Sequence, residues 1–134
     1  DAETVLVTSG TITSTARYVV DERRALGGRI GLVKVKMFRP FPSLGLRQAL
    51  AGVPRVVVLD RNISPGHSGI FAEEIRAALY DLPASRRPRI EGCIVGLGGR
   101  DVTPAVIDQC IDRPDPARAA AAEAREDLWV GVKP

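Results

Sequence analysis

Apolar residues along this chain fall into two alternating rhythms. Short apolar runs, such as Val5-Leu6-Val7 and Val56-Val57-Val58-Leu59, are separated by longer stretches in which apolar positions recur every three or four residues. Runs that are apolar at every position read as strands buried on both faces of a parallel sheet, and the longer period reads as helices. Strands are predicted over Thr4 to Thr8, Ile30 to Met37, Arg55 to Leu59 and Ile90 to Gly96. Helices are predicted over Thr11 to Leu26, from Ser43 through Leu50, over Gly69 to Tyr80, and from Thr103-Pro104 onward.

Local chemistry sharpens several boundaries. Ile12, Ala16, Val19, Val20 and Leu26 form the stripe of the first helix, and Gly27-Gly28 should stop it as a C-terminal glycine pair. Ser43 is placed to cap the second helix, while Thr103 and Pro104 supply an N-cap and a first-position proline to the last. In the third helix Ile70, Phe71, Ile75, Ala78 and Leu79 make one apolar stripe, leaving Glu73, Glu74 and Arg76 for solvent. That is core geometry, and it assigns no acid or base role to the two glutamates. Ser9-Gly10 reads as a tight turn ahead of the first helix.

Strand and helix alternating with short connections implies an α/β domain with a mostly parallel sheet covered on both faces. After Ile111 the pattern changes. Asp112 to Pro116 is punctuated by proline, Ala119 to Ala124 is rich in alanine, and Leu128-Trp129-Val130 is apolar enough to dock. The expected division is residues 1–113 as the α/β domain and 114–134 as a tail or surface helix with an apolar docking end.

Three strand ends carry most of the information. The second predicted strand leads into Phe38-Arg39-Pro40-Phe41-Pro42, the third into Asp60-Arg61-Asn62-Ile63-Ser64-Pro65-Gly66, and the fourth into Leu97-Gly98-Gly99-Arg100-Asp101. In an open α/β sheet, loops after the strands' carboxyl ends are where binding and recognition concentrate. FRPFP, VVVLDRNISPG and IVGLGGRDVTP, in that order, resemble the C-terminal domain of the alpha subunit of pyruvate synthase and related 2-oxoacid:ferredoxin oxidoreductases. The resemblance runs from about Val5 to about Ile111. It implies a three-layer α/β/α sandwich of the transketolase C-terminal type, with about five strands, one of them antiparallel.

The same resemblance implies a function for the whole assembly. Enzymes of this family decarboxylate a 2-oxo acid on thiamine diphosphate with magnesium, pass the acyl group to coenzyme A, and deliver electrons through iron–sulfur clusters to ferredoxin. This chain shows no G-D-G…N diphosphate motif, no identifiable activating glutamate and no cysteine-rich cluster motif. The expectation is therefore a non-catalytic structural and assembly domain, inactive alone and holding no cofactor or metal. Its partners would be other domains and subunits of beta, gamma and delta type. Arg39, Asp60, Arg61, Asn62, Ser64, Gly66, Gly98, Gly99, Arg100 and Asp101 are candidates for a loop network or interface, because arginine's planar fork suits carboxylates and interface ion pairs. Two alternatives are the C-terminal domain of a transketolase or 2-oxo acid dehydrogenase beta subunit, and a free-standing module for a phosphate or nucleotide ligand.

Composition narrows the classes. The 134 residues suit one domain with a core of its own, and 45% hydrophobic with 26% charged residues is ordinary for a globular chain. No apolar run nears the roughly 18 residues of a membrane span, and no signal segment opens the chain, which points to a cytoplasmic protein. Asp1 stands where an initiator Met would, as in an excised piece. The net charge of +3 is spread over arginines with acidic neighbours, and six aromatics are too few for a base-stacking surface. Nucleic-acid binding is not expected.

Other constellations resolve to plain readings. Cys93 and Cys110 read as small buried hydrophobes in a reducing compartment. Gly96-Leu97-Gly98-Gly99 is not a dinucleotide fingerprint and reads as a tight turn exposing Arg100 and Asp101. Ser9-Gly10-Thr11 reads as a cap and turn. His67, the sole histidine, lies in no serine-nucleophile elbow and reads as a loop residue.

Overall fold

A computed structural model of the chain describes residues 1–65, 68–113 and 127–131. In chain order the elements are β1 (Thr4–Thr8), α1 (Ile12–Ala25), β2 (Ile30–Lys34), α2 (Ser43–Leu50), β3 (Arg55–Asp60), α3 (Ile70–Leu79), β4 (Arg89–Ile94), α4 (Pro104–Ile111) and β5 (Leu128–Trp129). The five strands form one sheet in the order β2-β1-β3-β4-β5, and each neighbouring pair runs parallel.

Alternating side chains on the strands divide the core in two. Leu6, Val57, Leu59, Cys93 and Val95 face α1 and α4, where Ile12, Ala16, Val19, Ile107 and Cys110 cover them. Val5, Val7, Val56 and Val58 face the other way and meet Leu46 and Leu50 of α2 and Ala72, Ile75 and Leu79 of α3. β3 contributes to both layers, which is why its sequence is apolar without alternation. The result is the three-layer α/β/α sandwich.

The antiparallel strand implied by the family resemblance is absent among the described residues. Arg55, which opens β3, donates from Nη1 to the carbonyl of Ile111 at 2.6 Å, so α4 finishes at the sheet's entry end. Leu128 pairs with Cys93 and Trp129 with Ile94 in the parallel sense, so β5 runs with β4.

Several local expectations need correction. β2 ends at Lys34, three residues before Met37, with one more ladder bond from Val35 N to Thr8 O at 2.8 Å. Ser43 is the first helical residue of α2, Pro42 occupies the cap, and no side-chain cap bond forms. Leu26 lies just past α1 and is 89% exposed, so it is not part of the core stripe. The glycine pair after it behaves as expected: Gly28 N bonds Arg23 O at 2.8 Å and Gly27 N bonds Arg24 O at 2.9 Å, the double closure of a Schellman motif. Gly27, at φ +86°, takes the left-handed conformation that closure needs. Thr103 does cap α4, its Oγ1 accepting from Val106 N at 3.4 Å. No helix among the described residues is long and apolar enough to cross a membrane.

Candidate functional site

The strand order fixes where a site belongs. From β1 the chain steps outward to β2, then returns past β1 to β3, so the topological switch point lies between β1 and β3. At such a point the two connections leave in opposite directions and open a crevice at the strands' carboxyl ends.

Arg61, the first residue after β3, spans that crevice. Its Nη1 donates to Thr11 Oγ1 at 3.3 Å, reaching the turn between β1 and α1. Thr11 makes no side-chain cap bond to its own helix. On the other side, Gly96 at φ +66° leaves the space into which Arg61 packs. A Cβ there would stand 2.7 Å from Val102 Cγ2 and 3.1 Å from Arg61 Nε. One guanidinium thus bridges the loops after β1, β3 and β4. Arg100 closes its own turn through Nη1 to Leu97 O at 3.2 Å, with Gly98 and Gly99 at φ +66° and +78° beneath it. Arg61, Asn62, Arg100 and Asp101 are all exposed.

Arg39 lies elsewhere. Sequence order makes its strand and that of Arg61 look adjacent, but β1 separates them. Arg39 turns to α3, donating from Nη2 to Glu74 Oε1 at 2.6 Å and lying 4.0 Å over the Phe38 ring. Glu74 therefore ties α3 to the Phe38–Pro42 loop and does not simply face solvent. Ser64 N bonds Ser68 O at 2.9 Å, which closes the β3–α3 loop. Gly66, His67 and the alanine-rich segment Ala119 to Ala124 lie outside the described residues.

Beneath this rim sits a polar centre. The Asp60 carboxylate, 1% exposed, accepts from Phe71 N and Ala72 N at 3.0 Å each and so anchors the start of α3. Asp127 reaches the same helix end from beside β4. It accepts from Gly69 N at 2.8 Å and from Arg76 Nη2 at 2.8 Å. Arg76 thus turns inward, against its solvent assignment. Glycine makes room for both acids: a Cβ on Gly69 would overlap the Asp60 carboxylate, and one on Gly92 would overlap that of Asp127.

Burial pushes the Asp60 carboxyl up to about 6, and Asp127 adds to the rise. The amide bonds from Phe71 and Ala72, with Arg76, pull the other way. Sequence reading found Asp60 because it ends a strand; it missed Asp127, Arg76, Gly69 and Gly92. The available signal was one acid immediately before the apolar Leu128-Trp129-Val130.

The remaining chemistry is quiet. Cys93 and Cys110 are fully buried and share a hydrogen bond, which together with burial pushes the Cys93 thiol far above its ordinary range. A thiol held neutral is a poor nucleophile. Among the described residues no three His, Cys, Asp or Glu side chains group to hold a metal ion.

Comparison with known proteins supplies the family. The model of the pyruvate:ferredoxin oxidoreductase core domain II matches residues 2–107. Pyruvate synthase subunit PorA of Methanothermobacter thermautotrophicus is 40% identical over 134 residues, covering 99% of this chain and 32% of that protein. The PorA subunit of Thermotoga maritima is 44% identical over 112 residues, or 84% of this chain and 28% of its own. Ketoisovalerate oxidoreductase subunit VorA of Pyrococcus furiosus is 37% identical over 133 residues, or 99% and 33%. The chain spans about a third of the length of the curated relatives it matches. It belongs to the pyruvate:ferredoxin oxidoreductase core domain II family.

Proposed function

We propose that this chain is the structural and assembly domain of a 2-oxoacid:ferredoxin oxidoreductase, in the position of an alpha-type subunit. The complete enzyme converts a 2-oxo acid and coenzyme A to acyl-CoA, carbon dioxide and reduced ferredoxin, in the cytoplasm, with partner subunits of beta, gamma and delta type. Thiamine diphosphate supplies the decarboxylation chemistry, and iron–sulfur clusters carry the electrons. Among the described residues no three His, Cys, Asp or Glu side chains group to hold a metal ion, and this reading assigns both groups to other parts of the enzyme. The relatives' identity as pyruvate synthase and ketoisovalerate oxidoreductase subunits supports the reaction class.

The observation that carries the domain's role is the use of its rim charges. Arg61, Arg39 and Asp60 each cross from one element to another, to Thr11, Glu74 and the start of α3, which is how a surface is fixed for docking. Residues 1–113 form the domain in this reading, and 114–134 a tail whose apolar end docks back; the pairing of Leu128 and Trp129 with β4 supports that docking. The exposed rim residues Asn62, Arg100 and Asp101, with Ser64, Gly66, Gly98 and Gly99 shaping their loops, then face a neighbouring domain or subunit.

The test is capture of the native protein from its source with mass spectrometry of its companions. Recovery in a longer chain beside subunits bearing thiamine diphosphate and cluster motifs is the expected result. Recovery as a lone 14.4 kDa chain, with saturable stabilisation by inorganic phosphate lost in Arg61→Ala, would replace this reading with a small-ligand module at the switch point.

A further inference from the structure

Between Asp127 and Gly131 the chain touches three parts of the sheet's exit end. Asp127 grips Gly69 N at the start of α3 and the side chain of Arg76 from its last turn. Leu128 and Trp129 pair with Cys93 and Ile94, and Val130 N donates to Ile94 O at 3.0 Å. Gly131 packs against Arg100, where a Cβ would stand 3.8 Å from Cδ. A two-residue strand makes too few ladder bonds to hold itself on a sheet edge. The Asp127 carboxylate is the one buried charged anchor in the segment, at 2% side-chain exposure.

We propose that Asp127–Gly131 is a latch strand, closed on β4 by the Asp127 carboxylate at the mouth of α3, whose opening frees the Arg100 loop and uncovers β4 at Cys93. The inference stands on this geometry and does not depend on the enzyme's reaction. Three features make it a latch and not a fixed strand. Its grip is concentrated in one side chain, its ladder is short, and its anchor sits in an electrostatically divided place. Two buried carboxylates meet at one helix start: Asp60 holds the Phe71 and Ala72 amides, Asp127 holds the Gly69 amide and the Arg76 guanidinium, and Arg76 acts on Asp60 only through space.

The charged groups bearing on Asp60 among the described residues are Asp127, beside β4, and Arg76, on α3. β4 contributes Ile94, in register with Asp60, and Gly92, neither of them charged. Asp60 is poised to titrate near pH 6, inside a range a cell can reach. Below that pH Asp60 takes a proton and its repulsion of Asp127 disappears, leaving the Asp127–Arg76 bond unopposed. Above it Asp60 is charged and repels Asp127, and the latch is held less firmly. The latch therefore closes more tightly in mild acid than in mild base.

Amide hydrogen exchange in the intact protein, read on peptides covering 127–131 and 55–60 and corrected for the intrinsic pH dependence of exchange, tests this directly. The latch peptide is expected to be at least tenfold less protected than the β3 peptide at pH 8, and its own protection should rise severalfold between pH 8 and pH 5. Asp127→Asn should cost the latch a further tenfold in protection and leave β3 unchanged; Asp60→Asn should flatten the pH profile. Trp129 is the sole tryptophan, so its fluorescence should follow the same pH curve. Should either variant fail to fold, the wild-type exchange and fluorescence profiles still decide. Equal protection of latch and β3 from pH 5 to 8 would overturn the proposal, as would a latch whose protection does not change with pH or with Asp127→Asn.

Discussion

The two ends of the sheet solve the same electrostatic problem in opposite ways. At the entry end, among the described residues, each buried or half-buried acid is bonded directly to an arginine. Glu91, whose side chain is 4% exposed, takes both forks of Arg55 at 3.0 and 2.7 Å, with Arg89 Nε at 2.7 Å beside it. Arg23 of α1 spans Asp108 and Asp112 of α4 and its end, at 2.6 and 2.8 Å. That pairing lowers the Asp112 carboxyl and raises the Arg23 guanidinium. At the exit end Asp127 takes the arginine, Arg76, while Asp60 holds only amides of the helix start, and the Asp60 carboxyl rises instead. The entry end is built to be fixed, while the exit end keeps a charge that can be given up.

Breaking the entry end should have the largest effect. Glu91→Gln removes the countercharge from a bidentate, buried arginine and from Arg89, and loss of one partner of a buried pair costs roughly 3 to 5 kcal/mol. Urea unfolding should show that loss as a lower midpoint with an unchanged slope. A cost under about 1 kcal/mol would mean that water reaches the Arg55 fork and that the two ends differ less than the structure implies.

The pH dependence sharpens the contrast. Moving the Asp60 carboxyl from 3.8 to about 6 corresponds to roughly 3 kcal/mol. Its folded-state value is the raised one, so the native state holds a proton that the unfolded chain has already released. Stability should rise as pH falls through 6, the gain being complete near pH 4, and stay flat above about 7. Asp112 works in the opposite sense and only below about pH 4, where acid removes the stability its bond to Arg23 supplies. Unfolding measured at pH 7.5 and 5 should therefore show greater stability at pH 5, and Asp60→Asn should abolish the difference.

Gly69→Ala probes the exit end through space alone. Gly69 has φ −61°, so its backbone suits any residue, but a Cβ there would overlap the Asp60 carboxylate. The carboxylate would have to leave the Phe71 and Ala72 amides. The expected loss is about 2 kcal/mol, the cost of stranding buried hydrogen-bonding groups. It should shrink in an Asp60→Ala background, where the added methyl has room.

Most of the fold was legible in the sequence, while the arrangement of its rim was not. β3 and the stripe of α1 announced themselves because burial on both faces, or on one, leaves a periodic trace. The Schellman closure at Gly27-Gly28 and the Thr103-Pro104 start were legible because local backbone chemistry decides them. Strand order leaves no such trace, so Arg39 and Arg61 looked like neighbours until β1 was seen between them. Asp127 was hidden for a different reason: its partners, Gly69 and Arg76, lie 58 and 51 residues away. Arg76 itself was misplaced because a helix pattern shows which face is apolar, but not that a long arginine can reach around to a buried acid.

The smallest expected effect lies at the switch point. Arg61 touches three loops, but it is exposed and its bond to Thr11 is long, at 3.3 Å. Exposed charged contacts contribute about 0 to 1 kcal/mol, so Arg61→Ala should leave the unfolding midpoint nearly unchanged while Arg55→Ala does not. What Arg61→Ala should change is the rim itself. With the bridge between the loops after β1, β3 and β4 removed, assembly with partner subunits should weaken, read as earlier dissociation on dilution of the complex. A variant that assembles normally would show that the bridge is incidental and that docking relies on Arg39 or Arg100. One that loses stability as severely as Glu91→Gln would erase the distinction between a fixed end and an adjustable one.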